Sequence, residues 1–412
     1  MTDAHPEEPI DEVPLLTLRD GLPSVVDTPA ALAETVAALR DGTGPIAIDA
    51  ERASGYRYSA RAYLIQLRRA GSGTHLIDPT AFDDLAAVND ALGDAEWILH
   101  AATQDLVCLR EAGLIPQNLF DTEHAARLLG YPRVGLATLV ESILGLHMRK
   151  EHSAADWSQR PLPESWLEYA ALDVEVLIEL REHLARELDD TGKAEWARQE
   201  FTHLLGFEPA VRAEPWRRTS GIHKLRQPRH LAAVRELWMA RDEIAREQDI
   251  TPGRIIPDKA IAAAAHAMPR GRAALLATEG FAGRGARRFI DRWVDAIDVA
   301  RRLADDELPA VTQRSDGPPQ ARSWPDRDPE AAARLSAAKE TFAALSESVN
   351  VPLENLLTPD LMRRVLWRPP TVDADDLPEA VASMLHDLGA RPWQIELTCP
   401  LLVDAIKNSH GS

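Results

Sequence analysis

The segment Pro45-Ile-Ala-Ile-Asp-Ala-Glu51 sets the hardest constraint on any fold this chain can adopt. It is a short apolar run after a Gly-rich turn, which is a strand signal. Yet it carries two carboxylates. Side chains alternate across a strand, so Asp49 and Glu51 point to the same face. A carboxylate near the end of a buried strand is costly unless a cation pairs it. Two on one face also repel each other. A divalent cation answers both problems; the plain alternative is a pair of solvated acids at a strand end.

The neighbouring text predicts the frame around that strand. Tyr63–Arg68, Thr74–Asp78 and Trp97–Ala101 are further strand signals, and helices are expected over Phe82–Leu92, Asp105–Ala112 and from Pro163 to about Leu188. Three early strands followed by alternating β and α predict a mixed sheet with helices on its faces, an α/β domain over residues 26–205. Residues 215–303 read as purely helical, with Leu231, Val234, Leu237 and Trp238 at helical spacing. Thr251-Pro-Gly and Met268-Pro-Arg-Gly are breaks between helices. Residues 304–330 have linker composition, and residues 331–408 are helical again. Ile255-Ile-Pro-Asp258 has an echo in Leu356-Leu-Thr-Pro-Asp360, a hint of a duplicated helical module. Residues 1–25 are expected to be a flexible acidic tail, with neither the basic nor the apolar region of a secretory signal.

Charge sharpens this division. The chain of 412 residues has net charge −19. Between Pro215 and Arg302, however, 18 Lys and Arg face 10 Asp and Glu, a local +8 that leaves −27 for the rest. A basic segment in an acidic protein points to a local phosphate-binding face, against the alternative of a solvated helical surface. The only cysteines, Cys108 and Cys399, lie in apolar stretches far from any Cys/His cluster, which predicts buried thiols in a reducing cytoplasm and no zinc site. No apolar run approaches the roughly 20 residues that span a bilayer, so no membrane partner is expected.

Two more acidic positions join the first pair. Asp105 opens a helix directly after the strand Trp97–Ala101. It serves as a helix cap on one reading and stands beside Asp49 if the two strands are neighbours. Tyr169 and Asp173 are spaced i, i+4, on one helix face, where a structural hydrogen bond is the simpler reading. Together these groups have the composition that two-metal phosphodiester hydrolysis needs: hard oxygen ligands for Mg²⁺ or Mn²⁺ and a hydroxyl near the attacking water.

The order Asp49-x-Glu51, Asp105, Tyr169-x-x-x-Asp173 resembles the DEDDy exonucleases. Tyr63-Leu-Ile-Gln-Leu, Leu99-His-Ala, Gln104-Asp-Leu, Lys150-Glu-His-Ser-Ala-Ala-Asp-Trp-Ser-Gln-Arg-Pro-Leu and Glu168-Tyr-Ala-Ala-Leu-Asp173 resemble the ribonuclease D family over about residues 40–190. Residues 222–300 resemble the helical HRDC domain, through Arg254-Ile-Ile-Pro-Asp258 and Thr278-Glu-Gly-Phe281, and the last 80 residues look like a divergent second copy. The resemblance implies an RNase H-like exonuclease domain followed by all-helical HRDC domains. It implies 3′→5′ removal of 5′-nucleotides from RNA ends, tRNA precursors or other structured RNA being typical. It also implies two ions, with Asp49, Glu51 and Asp173 holding one, Asp49 and Asp105 the other, and Tyr169 orienting or deprotonating the water.

Further contacts to RNA are expected from the loop residues Lys150, Trp157 and Arg160, by phosphate pairing and base stacking, and from His100 in the cleft. Arg284, Arg287 and Arg288 follow Gly280-Phe-Ala-Gly, where a turn entering a helix offers free N–H groups to phosphate. On this reading, removing everything after Glu214 weakens binding of long RNA and changes hydrolysis of a very short one much less. The competing readings are a DNA-directed 3′→5′ exonuclease and a non-catalytic RNA-binding protein. No Gly-x-x-x-x-Gly-Lys-Ser/Thr or Gly-x-Gly-x-x-Gly supports an organic nucleotide cofactor.

Overall fold

The computed structural model describes residues 13–149, 152, 154–312 and 317–408. Strands β1 (Val25–Val26), β2 (Thr43–Arg52), β3 (Ala62–Ala70), β4 (Gly73–Ile77), β5 (Glu96–Leu99) and β6 (Asn118–Asp121) form a six-stranded sheet in the order β1-β4-β3-β2-β5-β6. The β2–β3 and β3–β4 pairs are antiparallel, and the β1–β4, β2–β5 and β5–β6 pairs are parallel. The mixed sheet follows from hairpin-linked early strands and later β-α units. Its helices are α1 (Pro29–Asp41), α2 (Ala86–Leu92), α3 (Leu106–Glu111), α4 (Thr122–Leu128), α5 (Leu136–Leu139), α6 (Glu164–Glu175), α7 (Leu177–Asp190) and α8 (Ala194–Leu205).

Alternation along β2 divides the two faces. Ile46, Ile48 and Ala50, with Ile65, Leu67 and Ile77 beside them, enter the main apolar core. Asp49 and Glu51 share the other face with Gln66 and Leu64. Helix α6 lies over that face, where Ala170 and Ala171 pack with Leu64, Leu76 and Trp157.

Local chemistry shifts several expected boundaries. The helix expected over Phe82–Leu92 begins only at Ala86, whose N–H is taken by the Asp84 carboxylate at 3.0 Å; a short acidic side chain here competes for backbone N–H groups. The helix expected from Pro163 to Leu188 is two helices. Val176 leaves helical geometry (φ −121°, ψ 6°) and joins a small core with Leu16, Val140 and Met148. Strand β6 has only four residues, too few for a periodic signal. The flexible tail expected over residues 1–25 does not extend through its described part: Leu16 is buried, Leu16 N–H donates to the His147 carbonyl at 2.9 Å, and Arg19 pairs with buried Glu175. Residues 1–12 lie outside the described residues.

The rest of the chain builds two further cores. One joins α9 (Pro228–Gln248), α10 (Pro252–Ile255), α11 (Asp258–Ala267), α12 (Gly271–Leu276), α13 (Arg284–Arg288) and α14 (Ile290–Arg302) around Trp216, Phe281 and Trp293. The other joins α15 (Trp324–Arg327), α16 (Pro329–Val349), α17 (Leu353–Leu356), α18 (Pro359–Trp367), α19 (Leu377–Asp387) and α20 (Pro392–Asn408). Trp324, inside the stretch read as a linker, is fully buried in this last core. The sequence echo is structural. In both modules a long helix ends on a left-handed residue, Asp249 (φ 45°) or Asn350 (φ 49°), and two shorter helices follow at matching spacings. Among the described residues no helix is long and apolar enough to cross a membrane.

Both modules dock on the sheet domain. Asn350 donates from Nδ2 to the Leu129 carbonyl at 2.8 Å, and Gly130 (φ +79°) must be glycine, since a Cβ there would meet the Asn350 side chain at 2.4 Å. Trp393 stacks on Trp196 with centroids 4.9 Å apart. Glu200, 1% exposed, accepts from Arg391 Nε at 2.7 Å and from the Trp393 indole at 2.8 Å. Burial pushes the Glu200 carboxyl up, but the bond from His124 and the Arg391 charge outweigh it and hold it below the usual range. Its contribution is therefore present above the unfolded carboxylate pKa and is lost as pH falls from there through the lowered folded one. Glu200→Ala strands the Arg391 guanidinium and the Trp393 indole and is expected to weaken this attachment by about 3 kcal/mol, splitting off an earlier unfolding transition in scanning calorimetry. One unshifted transition would contradict that role.

Candidate active site

The order of the sheet brings the acidic residues together. Strand β2 lies between β3 and β5, and β5 runs parallel to it, with Ile46 opposite Trp97 and Ala47 opposite Ile98. The turn after β5 therefore opens beside the end of β2 that carries Asp49 and Glu51. Helix α6 crosses from the other side with Tyr169 and Asp173. As a result, one carboxylate oxygen from each of Asp49, Glu51 and Asp173 lies within 4.8 Å of the other two. Asp105 stands at the start of α3, is 4% exposed and makes no side-chain cap to the helix. Its Oδ1 is instead 3.6 Å from Arg52 Nη2.

This crowding is electrostatically expensive. Burial raises the Asp49 carboxyl above the ordinary range. Glu51 is pushed up to about 10 by burial and by the charges of Asp49, Asp173 and Asp105. Burial, then the Asp49 charge, places Asp105 and Asp173 well above the usual carboxylate range. Tyr169 hydrogen-bonds Asp173, and its phenol is raised by burial and by the charges of Asp173, Glu51 and Asp49. Such a set holds its charge only with a cation in its midst. All-oxygen donors at this spacing fit a hard divalent ion. The amide of Gln66 fits the same setting: it is fully buried opposite Asp49, and neither Nε2 nor Oε1 has a partner among the described residues.

Other expected contacts are placed differently. Trp157 is fully buried, 5.4 Å from Trp166 and 6.5 Å from Tyr169 between ring centroids, so it packs beneath Tyr169 and has no face for a base. Arg160 is a clamp: Nη2 reaches Asp78 Oδ1 at 2.6 Å and the Tyr63 carbonyl at 2.8 Å, and Nη1 the Trp157 carbonyl at 2.9 Å. Those bonds leave its guanidinium committed to structure rather than to phosphate. His100 is held through Nδ1 and Thr122 Oγ1 at 2.9 Å, and burial lowers its pKa. Lys150 lies outside the described residues. Arg284, Arg287 and Arg288 are all exposed, and Arg288 also reaches Gln248 at 3.2 Å. Helix α13 has five residues, and Gly285 serves packing there: a Cβ would meet the Ile255 carbonyl at 3.1 Å.

Sequence reasoning missed the loop between β2 and β3. Asp249 accepts from Ser59 N–H at 2.8 Å and from the Tyr63 hydroxyl at 3.4 Å. Arg254 donates to the Gly55 carbonyl at 2.8 Å and lies 4.0 Å over the Tyr56 ring. Tyr56 packs in the same apolar cluster as Tyr169. The first helical module thus braces the loop leading out of the acidic strand. Truncation after Glu214 removes that brace, so it no longer separates RNA holding from hydrolysis. The sequence marks only the end of the long helix, at Thr251-Pro-Gly, and names no partner for Asp249.

Comparisons with known proteins give the class first. Residues 23–189 match a family model described as 3'-5' exonuclease, residues 230–297 one described as HRDC domain, and residues 317–406 one described as 3' to 5' exonuclease C-terminal domain. Fold and matches define a nuclease, a hydrolase of a fold family that uses divalent metals. The stretch expected as a second HRDC-like copy is the one matched by the exonuclease C-terminal model. The chain is 34% identical over 278 residues to ribonuclease D of Granulibacter bethesdensis, covering 65% of this chain and 67% of that one. A solved protein from Bifidobacterium adolescentis superposes with TM-score 0.88 at 38% identity, covering 96% of this chain and 100% of that chain. Escherichia coli RNase D, described as an exoribonuclease involved in structured RNA processing, superposes with TM-score 0.66 at 27% identity, covering 88% and 98%. The chain belongs to the ribonuclease D family.

Without divalent ions the acidic cluster should destabilise its own domain. Asp49→Asn removes, at constant volume, a buried carboxyl that without a cation must either stay charged beside its neighbours or take up a proton, each at a cost to the folded state. In EDTA it is expected to raise the thermal midpoint by roughly 2–4 °C, the effect of about 1 kcal/mol in a domain of this size. A midpoint below that of the wild type would mean that the carboxylates do not repel.

Proposed function

We propose that this chain is a 3′→5′ exoribonuclease that releases 5′-nucleotides from the 3′ ends of tRNA precursors or other structured RNA by two-metal-ion hydrolysis. The observation that carries the proposal is the approach of Asp49, Glu51 and Asp173 within 4.8 Å. These three would hold one Mg²⁺ or Mn²⁺, and Asp49 with Asp105 the second. Bound ions of this kind lower the pKa of water and stabilise charge on the departing oxygen. Tyr169, anchored to Asp173, directs its hydroxyl at the incoming water. Arg52, beside Asp105, adds positive charge at the mouth of the site. The relatives named ribonuclease D and exoribonuclease favour RNA as substrate.

The RNA body would lie along the first helical module. Arg217 and Arg229 are committed to Glu214 and to the end of α14. Arg218, Lys224, Arg226, Arg284 and Arg287 are exposed and carry no ion pair among the described residues.

End-labelled single-stranded RNA and its DNA equivalent, each with Mg²⁺, Mn²⁺ or EDTA, test the activity. Stepwise shortening of RNA that stops in EDTA is expected; equal or faster loss of DNA would reassign the substrate. Asp49→Asn, Glu51→Gln, Asp105→Asn and Asp173→Asn are each expected to remove most turnover from a folded protein. Tyr169→Phe should cost roughly 10²-fold or more in single-turnover rate with RNA affinity retained. A loss below about threefold makes the phenol structural. Changing Arg218, Lys224, Arg226, Arg284 and Arg287 to Ala together is expected to flatten the salt dependence of tRNA binding by about 0.7 in log K against log salt for each phosphate no longer neutralised. An unchanged slope would leave this face without RNA.

A further inference from the structure

The turn between β5 and α3 has no intrinsic reason to hold its shape. It must reverse within a few residues to set Asp105 beside Asp49. It does so through Ala101 in the left-handed region (φ 58°, ψ 53°), followed by one 3-10 turn over Ala102–Gln104. An alanine adopts this conformation only against a steric cost. Something outside the turn must therefore impose it.

The group placed to do so is Asp121, the last residue of β6 and opposite Leu99 in register. It is 3% exposed. Its Oδ1 accepts the Ala101 N–H at 3.2 Å and its Oδ2 accepts the Ala102 N–H at 2.8 Å. The same carboxylate caps α4 through the His124 N–H at 3.0 Å. Here the two consecutive N–H groups that meet the one carboxylate belong to Ala101, in the left-handed region, and to the residue after it. From there Gln104 N–H returns to the Ala101 carbonyl at 2.9 Å and Asp105 N–H to the Ala102 carbonyl at 3.0 Å, so the direction of Asp105 follows from Ala101. Thr122, fully buried, ties the same corner to the Leu99 carbonyl at 3.3 Å.

We infer that Asp121 is a positioning residue for Asp105: its carboxylate clamps Ala101 in the left-handed conformation and so sets the second ion position. This rests on the two-ion reading above. An ordinary helix cap needs only the His124 bond. The two further bonds to the preceding turn are what the clamp adds. The three hydrogen bonds that Asp121 accepts here all come from backbone N–H groups.

Binding of Mn²⁺ to the full chain, counted by electron paramagnetic resonance, tests the inference apart from turnover. Wild-type protein should bind two ions; if it does not, the two-ion reading fails before the clamp is in question. Asp121→Asn places an amide NH₂ where one N–H now finds an acceptor. It is expected to weaken the second Mn²⁺ at least tenfold, leave the first within twofold, and lower kcat at least tenfold with KM for a short oligonucleotide little changed. Ala101→Gly added to Asp121→Asn should restore at least half of the lost Mn²⁺ affinity, because glycine takes the left-handed conformation unaided. A residue that merely supports the fold would not be rescued in this way. If Asp121→Asn does not fold, Ala101→Val with Asp121 intact decides, since a β-branched residue resists the same conformation and should lose the second ion alone. Normal Mn²⁺ binding in a folded Asp121→Asn, no rescue by glycine, or two unaltered ions in Ala101→Val would each overturn the assignment.

Discussion

Repulsion among buried carboxylates is the constraint to which the rest of the sheet domain answers. Asp49, Glu51, Asp105 and Asp173 come from a central strand, the turn after its parallel neighbour and a helix crossing the same face. None of those elements gains stability from hosting an acid. What holds the acids in place lies around them: the apolar cluster of Leu64, Leu76, Trp157, Ala170 and Ala171, the Arg160 clamp on Asp78, and the hydrogen bonds to Asp121. The domain thus stores an unfavourable charge arrangement inside a favourable packing arrangement, as functional sites commonly do.

Much of the frame was readable because its signals are local. Alternation along residues 45–51 assigned Asp49 and Glu51 to one face, and the i, i+4 spacing assigned Tyr169 and Asp173 to another. Strong apolar runs located β2 to β5. The misses share one cause, competition from side chains and tertiary partners. Asp84 delayed a helix and Val176 broke one, while the apolar run Val13-Pro-Leu-Leu-Thr-Leu18, whose Leu16 enters a core, reads as a tail together with the acidic residues before it. Trp324 closed a Pro-rich segment onto a core that composition could not announce.

The site divides along the same line. Which acids could gather was legible from spacing, since neighbouring parallel strands carry their following turns to one edge. Which basic and aromatic side chains would face a substrate was not. Trp157 and Arg160 sit in a polar loop and look available, but their partners, Trp166 and the Asp78 carboxylate, come from elsewhere in the chain. Arg and Trp serve packing as readily as recognition, and only geometry separates the two uses. Asp121 was equally silent, because an Asp before a helix reads as a cap whatever else it holds.

The two helical modules meet the sheet domain through the same element, the left-handed residue closing the long helix. In one it is Asp249, which accepts hydrogen bonds from Ser59 and Tyr63; in the other it is Asn350, which donates one to the Leu129 carbonyl. A single difference in side-chain chemistry thus reverses the polarity of the joint. Exchanging the residues would set a carboxylate against a carbonyl at Leu129, and against the Ser59 amide a group with a single acceptor oxygen. The modules are alike in backbone and unlike in what this residue presents to the catalytic domain, an acceptor in one and a donor in the other.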